Sequence, residues 1–179
     1  MQFALIILLS VLSAIVYGII HDQITARICV EYFTIGHPPI FNTESPTLLG
    51  IGWGIVATWW VGLMLGFPLA CAARLGSSRA LVARELIKSI TILLGIMGLG
   101  AFLAGLTGFI LGSKGSIRLT GVFGSAIPSP KHVPFIVDMW AHSASYLFGF
   151  VGGIVLIVRI WRKREGSVEK QSRPNEKGI

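Results

Sequence analysis

Four long apolar stretches divide this 179-residue chain, and they constrain its fold more than any other feature. They cover roughly residues 3–20, 48–70, 90–111 and 140–160. A helix of about 20 apolar residues crosses the hydrocarbon core of a bilayer. The alternating ten-residue stretches of a membrane β-barrel do not occur in the sequence. We therefore predict an all-α integral membrane protein, with four transmembrane helices forming one domain over residues 1–161.

Small residues recur at every fourth position in three of these stretches. The three series are Gly50, Gly54, Thr58, Gly62 and Gly66; Gly100, Ala104, Gly108 and Gly112; and Ala141, Ser145, Gly149 and Gly153. Lipid supplies no hydrophobic drive for helix association, so membrane helices gain dispersion contacts where small residues let their backbones approach closely. The spacing predicts a four-helix bundle packed through small-residue grooves.

The net charge of +7 is explained by topology. Lysine and arginine concentrate in the loop after the second stretch and beyond the fourth, and these two segments lie on one side of the membrane. Such an excess in short loops predicts that both termini are cytoplasmic. No basic face is interleaved with aromatic residues in a soluble module, which argues against a nucleic-acid partner. Residues 162–179 are polar and basic, and we predict a disordered cytoplasmic tail there.

Ionisable residues are concentrated just after the first apolar stretch, where residues 21–39 read HDQITARICVEYFTIGHPP. If this segment is helical, Arg27 and Glu31 lie on the same face. Apolar and polar residues also alternate between positions 24 and 32, which leaves a short strand open. We favour a helix that ends before Pro38.

A second polar pattern opens the fourth apolar stretch, where Asp138 and His142 are four residues apart and lie on one helix face. The first stretch ends on the side of the membrane where the fourth begins. His21 and Asp22 are therefore expected at nearly the depth of Asp138 and His142. Ionisable groups are costly to bury unpaired at the hydrocarbon boundary, so this arrangement predicts mutual pairing or a bound ion.

Two imidazoles and two carboxylates are ligand types suited to a divalent transition metal. The candidate ligands are His21, Asp22, Asp138 and His142, and the predicted covering loop carries Arg27, Glu31, Tyr32 and His37. No HExxH, CxxC or paired ExxH motif supports the site. A purely structural cluster stays open as an alternative, with an aspartate accepting a hydrogen bond from a histidine and Arg27 paired with Glu31.

Two further chemistries are disfavoured. A b-type haem between His21 and His142 would place both ligands near span ends, and neither span shows another cofactor feature. Ser143 and Ser145 adjoin His142, but no G-x-S-x-G elbow presents a serine to a base. Passage of protons or solutes along the polar face stays open.

The two cysteines do not indicate a disulfide framework. Cys29 follows the first apolar stretch and Cys71 ends the second, so the predicted topology puts them on opposite membrane faces. Two cysteines separated by the thickness of a bilayer cannot be bridged.

The segment His21-Asp22-Gln23, with Thr25, Arg27, the run 31–34 and His37-Pro38, resembles a group of small four-span bacterial membrane proteins. The later run 140–146, Trp-Ala-His-Ser-Ala-Ser-Tyr, belongs to the same resemblance. It covers most of the chain up to the tail. The resemblance implies a bacterial inner-membrane location and supplies no catalytic residue.

Three functional hypotheses follow. The first is a non-catalytic membrane component, which binds another membrane protein or a second copy of itself through its outer loop. The second is a metal-binding membrane enzyme or metal-handling protein that uses the histidine and aspartate cluster. The third is a small transporter subunit, because four short spans would support transport only as an oligomer. The sequence leaves open whether the protein is an enzyme and which metal or substrate it binds.

Overall fold

A computed structural model describes residues 1–76 and 78–172, with side chains up to residue 165. The described part is all-helical and contains no strand. The helices are α1 (Gln2–Ile28), α2 (Val30–Thr34), α3 (Pro46–Val56), α4 (Trp59–Arg74), α5 (Ala83–Ser113), α6 (Gly121–Ala126) and α7 (His132–Ser172), with a 3₁₀ turn at Ser129–Lys131 before α7. The predicted all-α fold is confirmed.

Four helical segments in the described residues are long and apolar enough to cross a membrane. They are Gln2–Ile28, Pro46–Arg74, Ala83–Ser113 and Ser129–Glu165. Each is longer than the predicted span, because polar residues near both ends continue the helix beyond the apolar run. Large apolar side chains face outward along these helices, as expected for a surface in contact with lipid.

Two helix pairs form the bundle. The first membrane helix, α1, packs against α3 and α4, while α5 packs along α7; contacts between α4 and α7 and between α1 and α5 join the pairs. The small-residue series lie in these contacts. A Cβ atom added at Gly54 would lie 2.5 Å from the backbone nitrogen of Ile19, and one at Gly62 would lie 2.7 Å from the Cα of Val11. The helices therefore approach closely where the spacing predicted grooves.

Two breaks in the helices were not predicted. The predicted helix after the first span is interrupted at Cys29, whose backbone is extended, and the short α2 follows in a new direction. The second span is interrupted at Ala57 and Thr58, between α3 and α4. Both breaks place backbone and side chains near the polar cluster.

Beyond the fourth span, α7 continues to Ser172. Its backbone is therefore helical past residue 162, where the disordered tail was predicted to start. The remainder of that predicted tail, residues 173–179, lies outside the described residues.

Candidate functional site

Three of the four predicted ligands meet between the first and last membrane helices. His21 and Asp22 lie in the last two turns of α1, and His142 lies in the third turn of α7. One potential ligand atom from each of these residues lies within 4.8 Å of the other two. We call His21, Asp22 and His142 the His/Asp cluster. Its formation confirms that the end of the first span and the beginning of the fourth are neighbours.

His142 is held in one orientation by its backbone contacts. Its Nδ1 atom lies 2.7 Å from the main-chain oxygen of Asp138. A carbonyl oxygen can only accept, so Nδ1 carries the proton and donates it. The Nε2 atom then faces Oδ1 of Asp22 at 3.2 Å. The second ring nitrogen of His142 is thus paired with the carboxylate.

His21 completes the cluster with an unused nitrogen. Its ring meets the ring of His142 edge-on, with centroids 4.5 Å apart, and stacks against Tyr17 at 5.8 Å. Among the described residues, no hydrogen-bond partner reaches the buried Nε2 atom of His21. A buried polar atom without a partner is costly, and a ligand is one way to satisfy it.

The fourth predicted ligand takes a different role. Asp138 is fully buried, but its carboxylate is not part of the ligand group formed by the other three residues. Its contribution to the cluster is the main-chain oxygen that orients His142. Neither buried carboxylate oxygen makes a full hydrogen bond within the described part of the chain, although the main-chain NH of Cys29 faces the carboxylate. Such a position is costly for an ionised carboxylate.

An aromatic cover formed by α2 and the residues after it lies over one side of the cluster. The ring of Tyr32 stacks on His142 with centroids 4.5 Å apart, and Phe33 approaches the same imidazole at 5.7 Å. His37 donates from Nδ1 to the main-chain oxygen of Tyr32 at 2.8 Å, and its ring lies 4.6 Å from Trp53. Burial lowers the pKa of His37, although its bond to Tyr32 opposes that shift.

The charged members of the predicted covering loop are paired differently from the expectation. The hypothesis that Arg27 pairs with Glu31 is wrong. Glu31 binds Lys131 at 3.1 Å and accepts from the Cys29 thiol at 3.5 Å. Arg27 instead donates to the side chains of Gln23 at 2.8 Å and Thr47 at 2.9 Å. The break at Cys29 turns α2 away from the face of α1 on which Arg27 lies.

These pairings have electrostatic consequences in the cover. Burial opposes ionisation of Glu31, but hydrogen bonds from its own backbone and from Lys131 outweigh it and lower the pKa of Glu31. Burial raises the pKa of Cys29, so its thiol stays protonated.

A cavity of about 80 Å³ lies directly below the cluster, within the bundle. The hydroxyl of Tyr17 lies 2.8 Å from Oγ of Ser145, and Tyr146 donates to the main-chain oxygen of Ala57 at 3.2 Å. Both tyrosines and Ser145 line the cavity together with the cluster. Trp53 also lines it. The i, i+4 spacing of Tyr146 from His142 predicts that the two side chains share a helix face, as they do here.

The cluster has the donor chemistry of a transition-metal site. Two donor atoms bound at about 2.0–2.1 Å in tetrahedral geometry are separated by about 3.3 Å. The 3.2 Å between His142 Nε2 and Asp22 Oδ1 matches that separation. A histidine ligand also commonly donates its second nitrogen to a carbonyl or carboxylate, as His142 does to Asp138. The residues of the cluster therefore offer donor types that transition metals bind, with ligand atoms within 4.8 Å of one another.

No family model matches the chain, and no curated protein or solved structure shows significant similarity to it.

Proposed function

We propose that this protein binds a divalent transition-metal ion through His21, Asp22 and His142. The observation that carries the proposal is the convergence of these three side chains from two membrane helices, with ligand atoms within 4.8 Å of one another. The orientation of His142 by the Asp138 carbonyl supports it, as does the buried Nε2 atom of His21. A purely structural pair of His142 and Asp22 would leave that nitrogen of His21 unexplained.

The donor set favours particular metals. Two imidazoles and one carboxylate suit Zn²⁺ and Fe²⁺, and sites with three protein ligands leave coordination positions for water or substrate. The cavity beside the cluster would supply the space for such a ligand, and its tyrosine and serine hydroxyls would supply hydrogen bonds. A metal-handling or metal-dependent catalytic role therefore accounts for more of the site than a docking role does.

The proposal includes a location for the site. The resemblance described above supports a bacterial inner membrane. Most lysines and arginines lie in the second loop or at the end of the fourth span, which supports cytoplasmic termini. The cluster would then lie at the periplasmic mouth of the bundle, close to the outer surface but covered by Tyr32 and Phe33.

Metal analysis of the purified protein tests the proposal. The full chain is prepared in detergent without chelator, incubated separately with Zn²⁺ or Fe²⁺ under reducing conditions, desalted and analysed by plasma mass spectrometry. We expect about one ion per chain, as for a site with one set of ligands. Because altering a residue that only orients a ligand costs 10–100-fold in metal affinity, His142→Ala and Asp22→Asn should each lower affinity by about 100-fold.

His132→Gln is the matched control. His132 lies near the same end of the bundle but contacts the main-chain oxygen of Ile127, outside the cluster, and its substitution should leave metal content unchanged. Thermal unfolding of each variant distinguishes loss of a ligand from loss of the fold. The proposal is wrong if the wild-type protein retains no stoichiometric metal while His142→Ala only lowers stability. That result would establish the structural alternative.

A further inference from the structure

A second cavity, of about 240 Å³, adjoins the cavity below the His/Asp cluster, and Phe33 and Trp53 line both. Most of its other lining residues belong to the loop between the first two spans, including Asn42, Thr43 and Glu44. Irregular backbone is not tolerated in contact with lipid, so a loop between two spans lies on the water side of the membrane. This second cavity, which we call the vestibule, therefore opens towards water and is separated from the cluster cavity by aromatic rings.

The vestibule has a polar lining that suits a hydrated cation. Hydroxyl, amide and carboxylate oxygens are supplied by Thr34, Asn42, Thr43 and Glu44. Oxygen donors of this kind bind cations directly or through the water that the ion retains. An ion can therefore enter the vestibule without first losing its hydration.

A lipid-facing cleft between α1, α5 and α7 also reaches the cluster, because Tyr17 and His21 line it. Apart from these two side chains and Thr25, its lining is apolar. An ion that entered there would lose its hydration before it met a ligand, which is costly in an apolar environment. The vestibule is therefore the more favourable route for an ion.

The imidazole of His37 is packed against both residues that separate the two cavities. Its ring stacks on Phe33 with centroids 5.9 Å apart and lies 4.6 Å from the ring of Trp53. His37 also lines the cluster cavity, together with Asp22 and His142. An ion bound to His37 would therefore already be at the wall of the cavity that contains the cluster.

The hydrogen bonding of His37 leaves one ring nitrogen suited to a metal. Nδ1 donates to the main-chain oxygen of Tyr32 at 2.8 Å, so Nε2 carries the lone pair. No hydrogen bond to this Nε2 atom is made within the described residues. Histidines that bind metals commonly donate their second nitrogen to a carbonyl in this way, and His142 in the cluster does the same.

We propose that a divalent metal ion enters through the vestibule and binds transiently to Nε2 of His37 before it reaches the His/Asp cluster. This inference rests on the metal site proposed above and assigns its route of entry. A transient ligand lowers the barrier between two states without changing the difference in free energy between them. Its removal therefore slows binding and release by the same factor and leaves the dissociation constant unchanged.

His37→Phe tests the transfer step, because it keeps an aromatic ring between Phe33 and Trp53 but removes the ligand atom. Full-length protein in detergent is mixed with Zn²⁺ in a stopped-flow instrument, and uptake is followed with a fluorescent zinc indicator. Release is followed after addition of excess chelator. We expect both rate constants to fall about tenfold, the lower end of the effect of disturbing a metal contact, with the dissociation constant within about twofold of wild type. His132→Phe, which also loses a histidine bonded to a main-chain oxygen but lies outside the cluster, should change neither rate.

Asn42→Cys tests the route. In a background without native cysteines, this exposed lining residue of the vestibule is replaced and then modified with a bulky maleimide. The modification should slow Zn²⁺ uptake and release by at least as much as His37→Phe does. Ser116→Cys is the matched control, because Ser116 is exposed in the other loop at this end of the bundle. Its modification should leave both rates unchanged.

A larger dissociation constant with faster release in His37→Phe would identify His37 as a permanent ligand and overturn the transfer step. Unchanged or faster uptake and release in that variant would assign His37 to the aromatic cover alone and would also overturn it. Equal rates in the modified Asn42→Cys and Ser116→Cys proteins would exclude the vestibule as the route. If the wild-type protein takes up Zn²⁺ and no variant differs from it, only this inference fails. If the wild-type protein takes up no Zn²⁺, the proposed metal site fails and this inference fails with it.

Discussion

Removal of the Arg164 guanidinium should destabilise the end of the bundle opposite the His/Asp cluster. Arg164 is 6% exposed near the end of the fourth span, although arginine is among the residues least often buried. Its guanidinium donates to four main-chain oxygens, at 2.6 Å to Ala72, 2.8 Å to Leu75, 3.0 Å to Ser78 and 3.1 Å to Arg79. One side chain thus satisfies the end of α4 and fixes the following loop to α7.

The magnitude follows from these four bonds. A hydrogen bond to a charged group contributes about 1.5–3 kcal/mol when its partner is fully buried, and about 1 kcal/mol where the freed carbonyl regains water. Four bonds at about 1 kcal/mol give a loss of about 4 kcal/mol for Arg164→Ala. Favourable interaction of a cation with the negative end of α4 is also lost. Arg164→Lys keeps the charge but not the planar fork of donors, so it should recover about half of that loss.

Unfolding in mixed micelles, followed by circular dichroism during an SDS titration, measures the change. Thermal unfolding gives a second measurement: for a chain of this length, a loss of about 4 kcal/mol in the free energy of unfolding lowers the thermal midpoint by about 10 °C. Arg162→Ala, at an exposed position two residues earlier, is the control and should change the free energy of unfolding by less than about 0.5 kcal/mol. A free energy for Arg164→Ala within about 1 kcal/mol of wild type would refute the reasoning.

Three further predictions test packing, electrostatics and topology. Gly54→Ala should destabilise the bundle by about 1–3 kcal/mol in the same titration, because its Cβ would lie 2.5 Å from the backbone of α1. Gly95→Ala adds a Cβ that meets nothing within 4 Å and should not destabilise it. Equal effects of the two variants would contradict close packing of the helices at Gly54. Folding lowers the pKa of His37, so the unfolded state binds more protons at acidic pH. The free energy of unfolding should therefore fall as the pH drops below about 6.5, and it should level off below the pKa of the folded state. His37→Gln should flatten this fall between about pH 7.5 and 5.5, and an unchanged slope would refute the assignment. Cys29 is buried and its thiol stays protonated, so it is a poor reporter of topology. Glu44 is exposed, and Glu44→Cys in a background without native cysteines should react with an impermeant thiol reagent in intact cells. Reaction only after permeabilisation would reverse the predicted orientation.

The approximate site was predictable because it depends on topology. With antiparallel spans, His21 and Asp22 at the end of one helix are at nearly the depth of His142 at the start of another. The i, i+4 spacing of Tyr17 from His21 and of Tyr146 from His142 also predicts that each tyrosine shares a helix face with its histidine. The structure brings these residues together around one cavity, as the topology required.

The role of each side chain was less predictable. Asp138 and His142 share a helix face, yet Asp138 contributes its main-chain oxygen to the cluster and its carboxylate lies apart. The expected pair of Arg27 and Glu31 is prevented by the extended backbone at Cys29, and Glu31 meets Lys131 instead. No local pattern in the sequence indicates that break, whose Cys29 side chain is buried against Ile127 and Phe135, about 100 residues away in the chain.

The sequence by itself determined that this chain forms membrane helices and where they pack. The length of the apolar stretches and the spacing of small residues are local properties of the sequence. Backbone N–H and C=O groups without hydrogen-bond partners are costly in lipid, so an apolar stretch that crosses the membrane forms a helix. Only the tertiary structure decided which donor atoms face one another, where the helices break and that a lipid-facing cleft adjoins the cluster. Those features depend on the rotation and separation of helices, which are set by packing among residues far apart in the chain.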